Sequence, residues 1–129
     1  SEETFITIDP RGIVVSFQDS ALFPAGSAEL TERGEKKLDR FAKFIHGLPN
    51  RVAIEGHTDD QPIATRQFPS NWELSSARGS TVARWFERNG VAPKRMEVIG
   101  YGSTRPRFRN DSPEKRALNR RVEVVIKPE

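Results

Sequence analysis

The residues with the most chemical capacity are Asp59 and Arg78. Asp59 ends the run Ile54-Glu55-Gly56-His57-Thr58-Asp59, where a short apolar stretch stops at a glycine and gives way to a polar cluster. Arg78 lies in the helix-period segment that follows, Ser70 to Asn89. An α-helix turns about 100° per residue, so with Leu74 as origin Trp85 lies about 20° away, Val82 about 80° and Ala77 about −60°. These residues define the buried stripe. Arg78, at about 40°, and Asn71, at about 60°, fall on the same face. A guanidinium on a buried face is costly unless it is paired and hydrogen-bonded. The spacing therefore requires a partner for Arg78, supplied by the protein or by a ligand.

A carboxylate just past a strand and a guanidinium in the next helix put opposite charges at one mouth, and open α/β sheets bind ligands at the carboxyl ends of strands. One reading is an internal Asp59–Arg78 ion pair that fixes the loop. The other is a receptor for a zwitterion, with Asp59 taking an ammonium and Arg78 forking onto a carboxylate. Both stay open, since a ligand could enter a pre-formed pair. Other chemistry is poorly supplied. His57-x-Asp59-Asp60 offers one histidine beside two acids, and the only other histidine is His46. That is weak spacing for zinc, so no metal or other cofactor is expected. Cysteine is absent, which removes thiolate catalysis, disulfides and thiolate metal ligation. With no G-x-S-x-G turn either, an enzyme is not expected.

These residues need elements to position them. Thr4 to Ile8 and Ile13 to Phe17 alternate apolar and polar around the turn Asp9-Pro10-Arg11-Gly12, which predicts a hairpin. Leu22, Phe23, Pro24 and Gly26 sit in a loop, with Phe23 read as a core plug. Thr31 is an N-cap candidate for an amphipathic helix over 31–47, with Leu38, Phe41, Ala42 and Ile45 on its apolar face. Val52 to Gly56 reads as a central strand, and Asp60 to Pro69 as a loop exposing Ile63 and Phe68. Ser70-x-x-Glu73 is a capping box, and Asn89-Gly90 closes the second helix. Met96 to Ile99 is predicted as a third interior strand. Ser112-Pro113 opens a short helix, and residues 122–126 form a last strand. The pattern predicts an α/β architecture, an α+β two-layer sandwich with a mixed sheet and helices on one face.

At 129 residues, 35% of them hydrophobic and 30% charged, the chain is one soluble domain able to bury a core. No apolar run approaches the roughly 18 residues of a membrane span. The abrupt opening, Ser1-Glu2-Glu3, reads as a domain excised from a longer protein. The net charge is +3, with a basic stretch over 104–121 in which Phe108 is interleaved. That stretch keeps a polyanion in view, but a solvated basic surface is favoured and no nucleic acid is expected. Trp85 reads as core. Trp72 lies off the stripe, open to either a core or a sugar-stacking role.

Four ordered motifs carry a family resemblance. Gly56-His57-Thr58-Asp59, Asn71-x-x-Leu74-Ser75-x-x-Arg78, Gly100-Tyr101-Gly102-x-x-x-Pro106 and Asn119-Arg120-Arg121-Val122-Glu123 together resemble the OmpA-like peptidoglycan-binding domain, from about Leu22 to Ile126. The sequence Phe68-Pro69-Ser70-Asn71-Trp72-Glu73-Leu74-Ser75, after its long loop, is similar to the MotB subgroup, the wall-anchoring subunits of flagellar stators. The resemblance implies residues 1–20 as a hairpin leading into an OmpA-like domain over 21–129. It implies non-covalent binding of a diaminopimelate-type peptidoglycan stem peptide. Asp59 and Arg78 would make the charged contacts, and Thr58, Asn71, Leu74 and Arg121 would form the pocket wall. It also implies a homodimer, a MotA-like membrane partner, and location as the periplasmic domain of an inner-membrane protein. Many relatives carry a polar residue in the loop Phe23-Pro24-Ala25-Gly26. This chain has none there, so backbone groups would have to serve.

Overall fold

The computed structural model describes residues 3–129; Ser1 and Glu2, the start of the 1–20 segment, lie outside the described residues. Among these, five strands form one mixed sheet: β1 (Thr4–Asp9), β2 (Gly12–Gln18), β3 (Val52–His57), β4 (Met96–Gly100) and β5 (Arg121–Ile126). Their order is β1-β2-β5-β3-β4, antiparallel throughout except for the β3–β4 pair. The parallel pair needs a crossover, which α2 (Asn71–Arg88) provides. The remaining α-helices are α1 (Glu32–His46) and α3 (Pro113–Asn119). β2 pairs with β5, so the hairpin supplies two strands of the main sheet.

Side-chain alternation sorts the sheet into two unlike faces. On one, Val15, Phe17, Val52, Ile54, Val122, Val124 and Ile126 pack beneath Leu38, Ala42 and Ile45 of α1 and Val82 and Phe86 of α2. This is the two-layer architecture that the periodicity predicts. On the other, Val14, Ala53 and Val125 form a small apolar patch. Beside it lie Ser16, Glu55, His57, Arg121 and Glu123, all buried. β3 and β5 are therefore buried at every position.

Local chemistry sets the element ends. Thr31 caps α1, its side chain accepting from the Gly34 N–H at 3.0 Å. Ser70 caps α2 through the Trp72 N–H at 3.2 Å, and its hydroxyl donates to Glu73. Three expectations change. β4 is an edge strand, with Val98 38% exposed, because only β3 pairs with it. Phe68 is buried, because Thr65 folds the loop back on itself through bonds with Phe68 in both directions. The buried stripe of α2 runs through Leu74, Ser75, Arg78, Gly79, Val82 and Phe86. Trp85 lies at its margin, where its indole N–H reaches Asp39 at 2.8 Å. The stripe is rotated because α2 packs directly on the β3 backbone.

Gly56 permits that close approach. A Cβ at position 56 would stand 2.1 Å from the carbonyl oxygen of Ser75, an atom that cannot swing away. Gly56→Ala should therefore separate α2 from β3 and cost about 1–3 kcal/mol, the range for overpacking a filled core. Thermal unfolding followed by circular dichroism checks this; an unchanged Tm would contradict the packing.

Candidate ligand-binding pocket

β3 ends at His57, and the next two residues turn over the end of the sheet. The Thr58 N–H donates to the Gly102 carbonyl at 2.8 Å, and the Thr58 hydroxyl donates to the Asp59 carbonyl at 2.8 Å. Gly102 takes φ +59°, a conformation that favours glycine, and donates its own N–H to the Ser75 hydroxyl at 3.0 Å. Ser75, fully buried in α2, thus locks the loop after β4 against the loop after β3. Asp59 Oδ1 accepts from the Gln61 N–H at 2.9 Å, which fixes the carboxylate.

A cavity of about 380 Å³ opens here, between the loop after β2, the loop after β3 and the first half of α2. Its wall includes Thr58, Asp59, Asn71, Leu74 and Arg78, so five of the six residues expected from sequence come together. Asp19, Phe23 and Arg120 join them. The charges form an alternating chain. Arg78 Nη1 lies 3.0 Å from Asp19 Oδ2. Arg120 Nε lies 3.5 Å from that same oxygen, and Arg120 Nη1 lies 2.8 Å from Asp59 Oδ2. Asp59 and Arg78 are therefore joined through Arg120 and Asp19, rather than as the direct pair that spacing alone suggested. Arg78 also donates from Nε to the Ser27 carbonyl at 2.8 Å and from Nη2 to the Pro24 carbonyl at 3.3 Å. Its guanidinium carbon lies 4.9 Å from the centre of the Phe23 ring. In the loop that lacks a polar side chain, the Pro24 carbonyl is taken up by Arg78. Phe23 is the core plug expected, and it also forms part of the pocket floor. Burial pushes the Arg78 pKa down and Asp19 opposes it.

Arg121 is not on this cavity. It begins β5, where alternation sends its side chain to the opposite face of the sheet. There it donates to Glu123 at 2.8 Å, to the Asn119 carbonyl at 2.8 Å and to the Arg105 carbonyl at 2.9 Å. The pocket wall belongs instead to its neighbour Arg120, which precedes the strand. Asn119, fully buried, holds the basic loop by accepting from the Arg107 and Phe108 N–H groups and donating to the Phe108 carbonyl. The three residues of the Asn-Arg-Arg motif thus serve a loop, a pocket and the far face. Asp19 had no readable signal in sequence, since it directly follows β2 and lies 59 residues before Arg78.

On the far face, Glu55, His57 and Glu123 have side-chain ligand atoms within 4.8 Å of one another. Arg11 lies 2.9 Å from Glu55 and 3.5 Å from Glu123, and Arg121 holds the other oxygen of Glu123. Guanidinium groups already balance both carboxylates, so the cluster offers a divalent cation little net attraction. Burial raises the Glu123 pKa, but Arg121 outweighs it and keeps the carboxyl below its ordinary range. His57 stacks on Tyr101 with ring centres 5.1 Å apart, and neither ring nitrogen has a hydrogen-bond partner. Part of the basic stretch is paired, Lys115 with Asp111, Arg120 with Asp59 and Arg121 with Glu123, while Arg105, Arg107 and Arg109 are exposed.

Residues 22–120 match the model of the OmpA family. The chain belongs to the OmpA family. It is 42% identical over 120 residues to the uncharacterized protein YtxE of Bacillus subtilis, covering 92% of this chain and 50% of that one. It is 36% identical over 119 residues to motility protein B of Helicobacter pylori, covering 90% of this chain and 46% of that one. The crystal structure of the periplasmic domain of Helicobacter pylori MotB superposes with a TM-score of 0.89 at 30% identity, covering 98% of this chain and 82% of that chain. The cell wall anchor of the T6SS from Pseudomonas aeruginosa superposes at 0.91 with 34% identity, covering 99% and 90%. The chain spans about half the length of the curated relatives it matches.

Two predictions follow from the buried charges. Asp19→Ala leaves Arg78 without its carboxylate and should cost about 3–5 kcal/mol, whereas Arg120→Ala, at a partly exposed pair, should cost about 1 kcal/mol or less. Urea denaturation midpoints of the two variants check the contrast. Desolvation, the largest influence on His57, lowers its pKa below the ordinary 6.5 despite the nearby glutamates. The unfolded chain therefore takes up the proton first as pH falls. The contribution of neutral His57 is full above about pH 6.5 and is lost as pH drops through the folded-state pKa. Tm measured from about pH 7 to about pH 5 should fall, and His57→Gln should flatten that slope.

Proposed function

We propose that this domain anchors its protein to the bacterial cell wall, by gripping the stem peptide of peptidoglycan without making or breaking bonds. The observation that carries this reading is the charge balance of the pocket. Asp19 and Asp59 face Arg78 and Arg120, so the site is neutral overall yet presents both signs at fixed positions. A zwitterionic amino acid such as diaminopimelate matches this arrangement. Its ammonium replaces part of the Arg120 contact with Asp59. Its carboxylate meets Arg120 and the remaining N–H groups of Arg78. Exchange of one ion pair for another leaves no charge unpaired, so desolvation is offset. Asn71 and Leu74 shape the wall beside these charges, and Thr58 holds the turn that carries Asp59.

The family membership supports the same reading. The relatives include a motility protein B and a cell wall anchor of the T6SS, and the Helicobacter pylori MotB structure described above is of a periplasmic domain. The whole protein is proposed as a MotB-type stator subunit, with this domain in the periplasm, a homodimeric arrangement and a MotA-like membrane partner. No helix among the described residues is long and apolar enough to cross a membrane. The second reading is a wall anchor for another machine, and the superposition on the T6SS anchor at a TM-score of 0.91 favours keeping it. Co-purification of the full-length protein with a MotA-like subunit separates the two.

Purified sacculi provide the direct test. Wild-type protein should pellet with them at low and high salt, since a largely buried pocket is little screened. Folded Asp59→Ala and Arg78→Ala variants should stay in the supernatant. Normal pelleting by a folded Arg78→Ala protein would overturn the assignment. Binding that vanishes steeply with salt would point to a polyanion surface instead.

A further inference from the structure

A second, shallower groove of about 230 Å³ opens beside the pocket. The two share Pro62, Ile63 and Asn71, so they form one continuous trough. Their chemistry differs. The pocket carries four charged side chains, whereas the groove carries none: its remaining wall is Ser70, Trp72, Gly102 and Ser103. Trp72 is its largest surface and is 55% exposed. It sits in the first turn of α2, off the buried stripe, so the core does not account for it. A Cβ at position 102 would lie 3.4 Å from Cε3 of the indole, so the ring sits across from Gly102 at side-chain contact distance. The loop across from the ring is fixed in place by Ser75 and Thr58, which both bond Gly102. Its indole N–H has no acceptor among the described residues.

We propose that this groove is a saccharide subsite, in which Trp72 stacks against a sugar ring of the glycan strand. The proposal rests on the peptidoglycan reading of the adjoining pocket and extends it to the polymer's other component. An uncharged groove with a rigid, exposed aromatic platform suits a ligand with one apolar C–H face and a rim of hydroxyl and acetamido groups. Ser103 and Asn71 line the groove and supply polar groups for such a rim; the Asn71 amide nitrogen already donates to the Gln61 carbonyl at 3.0 Å. A charged peptide side chain would find no partner there. A platform already held in place loses little entropy on binding, so the contact adds affinity at small cost. Anchoring would then use two unlike contacts on one trough, an ionic one for the peptide and a stacked one for the glycan.

Isothermal titration tests this with two soluble probes: the free stem tripeptide ending in diaminopimelate, and the same tripeptide on its GlcNAc-MurNAc disaccharide. The wild type should bind the disaccharide-tripeptide about tenfold more tightly than the tripeptide. Trp72→Ala should erase that advantage while leaving tripeptide affinity unchanged, and Trp72→Phe should restore part of it. Equal wild-type affinities for the two probes would overturn the subsite and leave the peptide pocket standing. Failure of both probes to bind would overturn the peptide reading and this proposal with it. Loss of tripeptide binding in Trp72→Ala together with a lowered Tm would overturn the subsite in favour of a clamp that only braces the Gly102 loop.

Discussion

A guanidinium held out of water is the constraint on which the site depends. Arg78 lies on the buried face of α2, 3% exposed, and its desolvation has to be offset by contacts on every side. Those contacts are Asp19, two backbone carbonyls and the face of Phe23. All of them come from residues 19–27, the segment directly after β2. One side chain therefore ties α2 to a loop that has no regular hydrogen-bond ladder of its own. Asp19 then passes the constraint to Arg120, and Arg120 to Asp59, so a chain of charges links four segments distant in sequence.

The hydrophobic core and the polar motifs divide the work. Val52, Ile54, Val122 and Val124 fix the sheet to α1 and α2 on one face. The opposite face is buried too, but with Glu55, His57, Arg121 and Glu123 in place of a full apolar layer. Arg121 serves there as a strut: it satisfies Glu123 and pulls in the carbonyls of Asn119 and Arg105, which positions the loop between β4 and α3. Gly56 and Ser75 supply the third kind of connection. The absent Cβ lets α2 approach β3, and the serine hydroxyl then reaches Gly102. Motifs that read as ligand contacts are thus shared between holding the pocket's shape and facing its interior.

A pocket that is already charge-balanced when empty has a mechanical consequence. On the proposed reading, a zwitterion meets partners of both signs already in place, so its own charges are paired as they are desolvated and no loop has to collapse. Such a site suits an element that carries load, where rigidity between the grip and the rest of the fold matters more than turnover. The exposed groove beside it, with Trp72 as its platform, extends the same rigid surface without adding charge.

The sequence by itself determined the elements and much of their function. Period-two and period-3.6 patterns, Thr31 and Ser70 as caps, and the Asp9–Gly12 turn set the secondary structure, because each depends on interactions only a few residues apart. It also placed Arg78 on a buried face and showed that it needed a partner. Only the tertiary structure decided which partner. Asp19 replaced Asp59, since nothing local links a residue just past β2 to the middle of α2. The same limit governs Arg120 and Arg121, adjacent cations whose faces are separated by where β5 begins. It governs Phe68, buried by a loop that folds back, and β4, whose place at the sheet edge is a matter of pairing order. Local chemistry is written residue by residue, whereas partner choice across the fold emerges only when the chain closes on itself.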